Sequence, residues 1–328
     1  MNTLSKPTII TTKLNIVASK STMKVQDRER LDKIIHIVSL TITYILLFLA
    51  AIIAIIPFYY MIIGSFMQEA DLLSGKLWPV SGSFFQNIAD NYRNTLDRFN
   101  YFAYIGNTLT VAFSTTALML LITIITAFAF ARLQFRGRDV LFSILLATMM
   151  IPGEMMVISN YITFSNLNFI ARDQTRFQAY AVMVLPFITS VFYIYLLRQN
   201  FKQIPNELYL AAKVDGKSDW AYLWKVMVPL ASPTLITITI LSIIGSWNAF
   251  VWPQLAVSAA KDSERYWLIS VALRGTEKLT LESPTDEMIT QFSWQMVASV
   301  LTVVPLLILF IIFRKYIMRG TGRAGIKG

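Results

Sequence analysis

The chain contains no cysteine and a single histidine, His36, among its 328 residues. Without cysteine it can form no disulfide, no thiolate metal site and no cysteine nucleophile. A single histidine is also too few for the usual histidine-based metal site or catalytic centre. We therefore expect no metal site, no cofactor held by this chain and no enzymatic activity of its own.

Charged residues are scarce too, at 15% of the chain, whereas 55% is hydrophobic and the mean hydropathy is +0.55. In soluble domains about a quarter of the residues are charged. A membrane-crossing helix needs about 20 apolar residues, and six segments qualify. The sequence therefore predicts an all-α polytopic membrane protein with six transmembrane helices. The predicted spans are 35–65, 102–131, 140–164 (interrupted by Pro152-Gly153), 179–197, 234–252 and 294–313.

Lysine and arginine are divided unequally between the two sides of these spans. Twenty of the 29 lie in residues 1–33, 132–138, 198–230 and 314–328, and nine lie in the other loops. Because cytoplasmic loops carry the excess of basic residues, both termini and the 198–230 loop are predicted to be cytoplasmic. The net charge of +10 then lies where anionic lipid headgroups attract basic residues. No nucleic-acid partner is needed to explain the charge, and none is expected.

The predicted organisation has three parts. Residues 1–33 form a polar cytoplasmic arm that ends in a short basic helix, KVQDRERLDKI. Residues 34–318 form the transmembrane domain, with the cytoplasmic loop at 198–230 and a long outer loop at 253–292. Residues 319–328 are a cytoplasmic tail.

The cytoplasmic segment 204–229 reads IPNELYLAAKVDGKSDWAYLWKVMVP. Pro205 suits the first turn of a helix, and Glu207 then favours the positive end of the helix dipole. Leu208, Ala211 and Ala212 follow at helical spacing and make a narrow face. Asp215-Gly216 is a helix stop and turn signal.

Ser218 is predicted to cap a second helix at 219–227, with Pro229 ending it. Trp220, Leu223, Trp224 and Met227 share one face of that helix. From the residues alone, two interpretations stay open. The segment is either a helical hairpin resting at the membrane surface or a lever that contacts a cytoplasmic partner.

The segment resembles the signature loop of ABC-importer permeases, which reads EAA, three residues, G, nine residues, I-x-LP. Ala211-Ala212 precede Gly216 at the matching spacing, and nine residues then separate Gly216 from Val226-Met227-Val228-Pro229. Other segments are similar to the carbohydrate-uptake branch, and in particular to the second permease of maltose-type importers. They are RQNFKQIPNELYLAA, Gly245-Ser246-Trp247-Asn248, Arg132-Leu-Gln-Phe-Arg136-Gly137, Met150–Glu154 and the tail GTGRAGIKG.

The resemblance implies a type I ABC importer fold in the bacterial plasma membrane. It also implies a second homologous permease, an ATPase dimer that holds ATP and Mg²⁺, an extracellular solute-binding protein and a carbohydrate substrate. The loop would be a coupling helix docked on the ATPase, through Glu207, Ala211, Ala212, Asp215, Gly216 and Pro229. The outer loop 253–292 corresponds to the loop that reaches toward the binding protein. No Gly-x4-Gly-Lys-Ser/Thr motif occurs in this chain, so the nucleotide is expected on the partner.

The sequence departs from the family pattern at Leu210, which stands where the family has glutamate before the two alanines. That acid is expected to pair with a basic residue of the ATPase. Two alternatives follow: Glu207, one helical turn earlier, takes over the pairing, or this loop docks mainly by apolar contact.

Polar residues within the spans are the candidates for a translocation pathway. Glu154 is the only carboxylate in an apolar segment, beside Pro152 and Gly153, and such an acid is a functional candidate. It alternatively lies near the outer mouth or pairs with a neighbouring subunit. Asn248 and the indole of Trp247 suit sugar hydroxyls and a sugar ring, although a terminal tryptophan also serves as an interface anchor. The competing function is an ion-coupled secondary transporter, which usually shows repeated halves and more membrane carboxylates.

Overall fold

The computed structural model describes the backbone of residues 8–274, 279–282 and 288–322. It divides into two compact units, Met1–Met61 and Ile62–Gly328. Within the described residues, the first unit is formed by a single helix, and the second contains the other helices and one short hairpin of strands. The predicted all-α class is therefore confirmed, with that hairpin as a small local addition.

The first helix, α1, spans Thr8–Gly64. Its segment Asp32–Gly64 has a mean hydropathy of 2.6 and is long enough to cross a membrane. A short helix was predicted only at the end of the polar arm, whereas the helix begins at Thr8 and runs through the arm. No proline or glycine occurs between Pro7 and Pro57, so nothing in the arm interrupts helical hydrogen bonding.

The helices of the second unit follow in chain order. They are α2 (Glu69–Leu73), α3 (Phe84–Arg98), α4 (Tyr101–Arg132), α5 (Arg138–Thr148), α6 (Met156–Asn166), α7 (Arg176–Val184), α8 (Val191–Gln203), α9 (Asn206–Val214), α10 (Asp219–Tyr222), α11 (Val228–Leu230), α12 (Ser232–Asn248), α13 (Val251–Ala256), α14 (Ile269–Arg274) and α15 (Phe292–Gly322). Strands β1 (Thr280–Glu282) and β2 (Met288–Thr290) pair antiparallel between α14 and α15.

Three described segments can each cross a membrane as one helix: Asp32–Gly64, Tyr101–Arg132 and Phe292–Lys315. Three further pairs of helices are long and apolar enough only when taken together. They are Arg138–Thr148 with Gly153–Asn166, Arg176–Phe187 with Val191–Gln203, and Asp219–Leu230 with Ser232–Asn248, bent by 76°, 52° and 78°. The structure is thus compatible with the predicted six spans if each bent pair is one span.

Only the first of these bends was predicted, at Pro152-Gly153. The second lies after Leu185–Phe187, a short 3₁₀ turn that contains Pro186. The fifth predicted span was placed too far along the chain: α12 ends at Asn248, and Ala249 is extended. Trp252 therefore belongs to the separate helix α13 instead of the end of that span.

The helix α4 runs through the middle of the second unit. Its residues contribute to three hydrophobic clusters, shared with α7 and α13, with α8 and α12, and with α14 and α15. A hydroxyl pair at 2.9 Å between Thr116 of α4 and Ser242 of α12 adds a polar contact between two packed helices. Such hydrogen bonds contribute about 0.6 kcal/mol each on average between helices in membranes.

The predicted outer loop 253–292 contains α13, a 3₁₀ turn, α14 and the strand hairpin in its described parts. The carboxylate of Glu69 in α2 accepts hydrogen bonds from the backbone N–H groups of Phe292 and Ser293, at 3.0 and 2.9 Å. These are two of the otherwise unpaired donors at the beginning of α15. The short helix α2 thereby fixes the start of the last span.

The segment after α2 is organised around the buried carboxylate of Asp71, whose side chain is 1% exposed. One oxygen accepts from the Lys76 ammonium at 2.6 Å and the Ser81 hydroxyl at 2.7 Å. The other accepts from the backbone N–H groups of Val80 and Ser81. The hydrogen bond from Lys76, followed by those from Ser81 and Val80, holds the pKa of Asp71 far below its usual value.

Replacing Asp71 with asparagine is expected to lower the thermal unfolding temperature and to expose the 74–83 loop to protease. Asparagine cannot accept four hydrogen bonds as an anion does, and its amide would face donors. Because the folded pKa is depressed, the stabilisation is present above the unfolded pKa of 3.8 and is lost only as the pH falls below it.

The matched control is Asp90→Asn, since Asp90 is exposed in the same region. Equal unfolding temperatures and equal cleavage of the two variants would contradict the role of Asp71. The measurement is thermal unfolding of the purified protein in detergent, together with limited proteolysis at pH 7.

Candidate functional site

The segment 204–229 singled out in the sequence forms a hairpin, here defined as α9 through α11, residues 206–230. It follows α8 directly, with the buried residue Ile204 and then Pro205 as the only link. Pro205 has φ −55° and stands immediately before α9. The proline therefore sits one residue outside the helix, where its missing N–H is not needed.

The turn of the hairpin closes α9 with a Schellman motif. Gly216 has φ +69°, and its N–H donates to the carbonyl of Lys213 at 3.0 Å. The N–H of Lys217 donates to the carbonyl of Ala212 at 2.9 Å. This pair of bonds satisfies two carbonyls at the end of the helix and requires a left-handed residue, which glycine adopts without strain. The predicted stop at Asp215-Gly216 is confirmed.

The second arm of the hairpin begins as predicted at Ser218, whose hydroxyl accepts from the N–H of Ala221 at 3.2 Å. The prediction that Pro229 ends this helix is wrong. The arm continues through a π-helical turn, Leu223–Met227, into α11, Val228–Leu230. Pro229 has no N–H and its ring would clash with the carbonyl four residues earlier, and a wider π turn next to it relieves both constraints.

A polar cluster joins the two arms of the hairpin. Tyr209 donates its hydroxyl to Asp219 at 2.7 Å, and the ammonium of Lys213 lies 2.8 Å from the same carboxylate oxygen. Lys213 also lies over the ring of Tyr209. The hydrogen bond to Asp219 raises the pKa of Lys213, and burial followed by that carboxylate raises the pKa of Tyr209. Lys213 therefore stays charged and Tyr209 stays neutral at neutral pH.

The second arm packs into the bundle, with Tyr222, Leu223 and Met227 each at most 1% exposed. They belong to the cluster that includes residues of α4, α8 and α12. The predicted apolar face was partly wrong, because Trp220 is 59% exposed and Tyr222 is buried instead. The short α10 and the π turn shift the side-chain positions away from the regular helical spacing that the prediction assumed.

The first arm, α9, presents its outer face to solvent. Glu207, Leu210, Ala211 and Val214 are all exposed, and Val214 is 89% exposed. Ala212 instead packs against the cluster shared with α4 and α8. Of the two predicted contact alanines, only Ala211 therefore lies on the open face. The second arm anchors the hairpin in the bundle. The first arm, α9, displays an apolar surface that carries one acid.

Tyr209, Lys213 and Asp219 were missed as functional candidates in the sequence. The pair Tyr209 and Lys213 is visible as a four-residue spacing on one helix, which brings side chains together. The link to Asp219 depends on the angle of the turn at Gly216, and that angle is not readable from spacing.

The three pathway candidates do not come together in one place. Glu154 is exposed in the 3₁₀ turn Gly153–Met155 at the 76° bend, and it has no side-chain partner among the described residues. Asn248 is exposed at the end of α12. Trp247 is 5% exposed and packs with Trp294 and Ile269 in a core cluster, so its indole does not line an open pathway.

A cavity of about 370 Å³ lies between α4, the α7–α8 bend and α12. Its lining includes six residues with hydroxyl groups, and no charged residue is among the lining residues. The hydroxyl-bearing residues are Thr115, Thr189, Ser190, Tyr193, Ser242 and Ser246. Gly245 and Ser246 belong to the same Gly-Ser-Trp-Asn segment as the predicted candidates. The two sequence candidates in this segment, Trp247 and Asn248, are not among the residues that line the cavity.

A comparison with protein families decides the class of the chain. The family described as "Binding-protein-dependent transport system inner membrane component" matches residues 119–323, which include the hairpin, the cavity-lining part of α12 and α15. The chain belongs to this family. It is a multi-pass permease of the inner membrane, and the resemblance stated from the sequence is confirmed.

Curated relatives match nearly the whole permease. An arabinooligosaccharides transport system permease protein of Halalkalibacterium halodurans is 28% identical over 85% of this chain and 93% of that protein. A diacetylchitobiose uptake system permease protein of Streptomyces coelicolor is 26% identical over 84% of this chain. A sn-glycerol-3-phosphate transport system permease protein of Yersinia pestis is 23% identical over 90% of this chain and 98% of that protein.

The permease also shares its fold with a solved structure. A chain of a bacterial ABC transporter involved in the import of the acidic polysaccharide alginate superimposes with a TM-score of 0.70. It is 25% identical, and the match covers 84% of this chain and 95% of that one. The type I ABC importer fold expected from the resemblance is therefore supported by the three-dimensional comparison.

Proposed function

We propose that this permease translocates a carbohydrate delivered by an extracellular solute-binding protein, powered by a separate ATPase dimer. It acts beside a second homologous permease. ATP and Mg²⁺ bind to the ATPase, and the hairpin of this chain is the surface on which the moving ATPase acts. Both termini and the hairpin face the cytoplasm, in line with the distribution of lysine and arginine.

The observation that carries the proposal is the form of the hairpin. Its second arm is packed into the bundle with α4, α8 and α12, whereas α9 exposes Glu207, Leu210, Ala211 and Val214. A body with this shape can be moved from outside without being pulled away from the bundle. ATP then shifts the transporter between conformations because the ATPase binds it more tightly in one of them.

The proposal of a carbohydrate rests on the relatives and on the cavity. Two of the relatives are named for arabinooligosaccharides and diacetylchitobiose. The cavity combines hydroxyl side chains with apolar residues such as Met119 and Met183. Hydroxyl groups and apolar walls match the alternating hydroxyl and C–H surfaces of a sugar ring. The cavity is therefore the preferred pathway site, with Gly245 and Ser246 in its wall.

The test uses a cysteine at the cavity, since the chain has none. The variant Ser246→Cys is purified with its native partners, reconstituted in vesicles and labelled with a maleimide that shifts the mass of this chain on a gel. We expect an ATPase subunit and a second permease to co-purify. We also expect ATP to change the labelling rate by about tenfold, as the cavity switches sides.

An absence of both the ATPase and any ATP effect would overturn the proposed function. A change in labelling that depends on a proton or sodium gradient, and not on ATP, would instead identify an ion-coupled transporter. Labelling with and without an ionophore separates these two outcomes.

A further inference from the structure

We infer that Arg132 and Arg198 form a reciprocal link that makes the hairpin, α4 and α8 move as one body. Arg132, the last residue of α4, donates to carbonyl groups at the end of α8, and Arg198, inside α8, donates to a carbonyl in the last turn of α4. The inference rests on the proposed function, because it assigns a task to the link only if the hairpin receives movement from an ATPase. Neither residue was assigned this task from the sequence.

Arg132 is the last residue of α4. Its guanidinium donates to the carbonyl of Phe201 at 2.9 Å and to the carbonyl of Ile204. It also reaches the side-chain oxygen of Asn206, the first residue of α9, at 3.4 Å. One side chain of α4 therefore spans the junction between α8 and the hairpin.

Arg198 makes the opposite contact, from α8 to α4. Its Nε donates to the carbonyl of Phe130, in the last turn of α4, at 3.1 Å. Its guanidinium stacks over the ring of Phe142 in α5, 3.7 Å from the ring centroid, and lies 3.7 Å from the carboxylate of Asp139. The side chain of Arg198 is 6% exposed, so its contacts with Phe130 and Phe142 are shielded from water, whereas Asp139 is exposed.

The arrangement depends on arginine specifically. The last carbonyls of a helix have no partner within the helix, and they lie at its negative end. A guanidinium offers five donors in a rigid plane, so it can hold carbonyls of two segments at fixed angles. Lysine keeps the charge but offers a single ammonium on a flexible stem, so it cannot fix the relative orientation of the two helices.

A link of this kind has a consequence that simple helix capping lacks. If Arg132 only capped α8, its loss would lower stability but leave the response to ATP intact. If Arg132 joins the α8–α9 junction to α4, its loss leaves only the apolar packing of the second arm between the hairpin and α4, and the hairpin can then move without carrying the cavity wall formed by α4. Hydrolysis of ATP then continues while the cavity no longer switches sides.

The test compares ATP hydrolysis and the ATP-dependent labelling of Ser246→Cys in Arg132→Ala, with Arg136→Ala as the matched control. Arg136 is exposed in the same loop and carries the same charge. We expect Arg132→Ala to hydrolyse ATP within twofold of the parent protein and to reduce the ATP effect on labelling from about tenfold to less than twofold. Arg136→Ala is expected to match the parent in both measurements.

A normal ATP effect on labelling in Arg132→Ala would overturn the inference. If that variant fails to assemble, Arg132→Lys decides: a weakened ATP effect supports the link, and an unchanged one overturns it. Failure of the proposed function looks different, since the parent Ser246→Cys protein would then show no ATP effect at all.

Discussion

Replacing Gly216 with valine is expected to abolish the ATP-dependent change in Ser246→Cys labelling while membrane insertion continues. The turn at Gly216 fixes the direction in which α9 leaves the hairpin. Valine cannot take up φ +69° without severe strain, because its branched side chain collides with its own backbone there. The α9 helix would lose its Schellman end, and its exposed face would no longer meet the ATPase in the correct orientation.

The surroundings of Gly216 isolate this backbone effect. A Cβ atom at Gly216 has no atom within 4 Å apart from its chain neighbours, so the expected effect comes from the backbone conformation and not from crowding of the Cβ. The left-handed conformation alone costs about 1–2 kcal/mol for an ordinary L residue and more for a branched one. Losing the turn would also separate Tyr209 and Lys213 from Asp219, whose contacts with them close the hairpin.

The control is Gly216→Asn, since asparagine tolerates the left-handed region better than other non-glycine residues. It should retain most of the ATP effect. A valine variant that switches normally, or an asparagine variant that fails as completely as valine, would contradict the requirement for a left-handed residue. Chromatography of both proteins in detergent verifies that they are inserted and monodisperse.

Replacing Glu207 with alanine is expected to weaken the binding of the ATPase by roughly 30-fold. Glu207 and Leu210 are both exposed on α9, one helical turn apart, and Glu207 is the only acid on that face. The sequence left two alternatives for the missing family glutamate at 210, a substitute pairing by Glu207 or docking by apolar contact. Loss of one partner of a shielded charge pair costs about 2 kcal/mol, which corresponds to that fold-change.

The second variant restores the family pattern. Adding Leu210→Glu to Glu207→Ala is expected to recover most of the affinity, because the new carboxylate lies one turn away on the same exposed face. Asp173→Asn serves as the control for loss of an exposed acid elsewhere. The measurement is a titration of the separated ATPase onto the reconstituted permease. Unchanged affinity in Glu207→Ala would favour docking by apolar contact alone.

The hairpin was predictable from the sequence because its signals are local. A proline before the first turn, a glycine that needs positive φ and a serine cap each act over three or four residues. The error at Pro229 arose because the rule that proline ends a helix ignores the π turn, in which Leu223–Met227 adapts to the proline while the second arm stays packed in the bundle.

Features that depend on contacts distant in sequence were not predictable. The exchange between Arg132 and Arg198 joins residues 66 positions apart in the sequence. Both arginines begin segments that resemble the family, but nothing in those segments indicates that the two side chains reach each other's helices. Trp247 and Ser246 are neighbours, yet one packs into a core cluster and the other lines the cavity. Which of two adjacent residues faces the cavity is decided by helix rotation, and that rotation is fixed by packing of α12 against α4 and α15.

The central claim, that the exposed face of α9 contacts the ATPase, is tested most directly by cross-linking. Val214 is 89% exposed on that face, and Phe85 is 80% exposed in α3, on the side predicted to be external. A photoreactive maleimide is attached to Val214→Cys or Phe85→Cys in the assembled transporter, and the cross-linked chains are identified by mass spectrometry. The account predicts that Val214→Cys captures the ATPase subunit and that Phe85→Cys does not. Capture of the ATPase from Phe85→Cys, or none from Val214→Cys in a complex that contains it, would contradict the account.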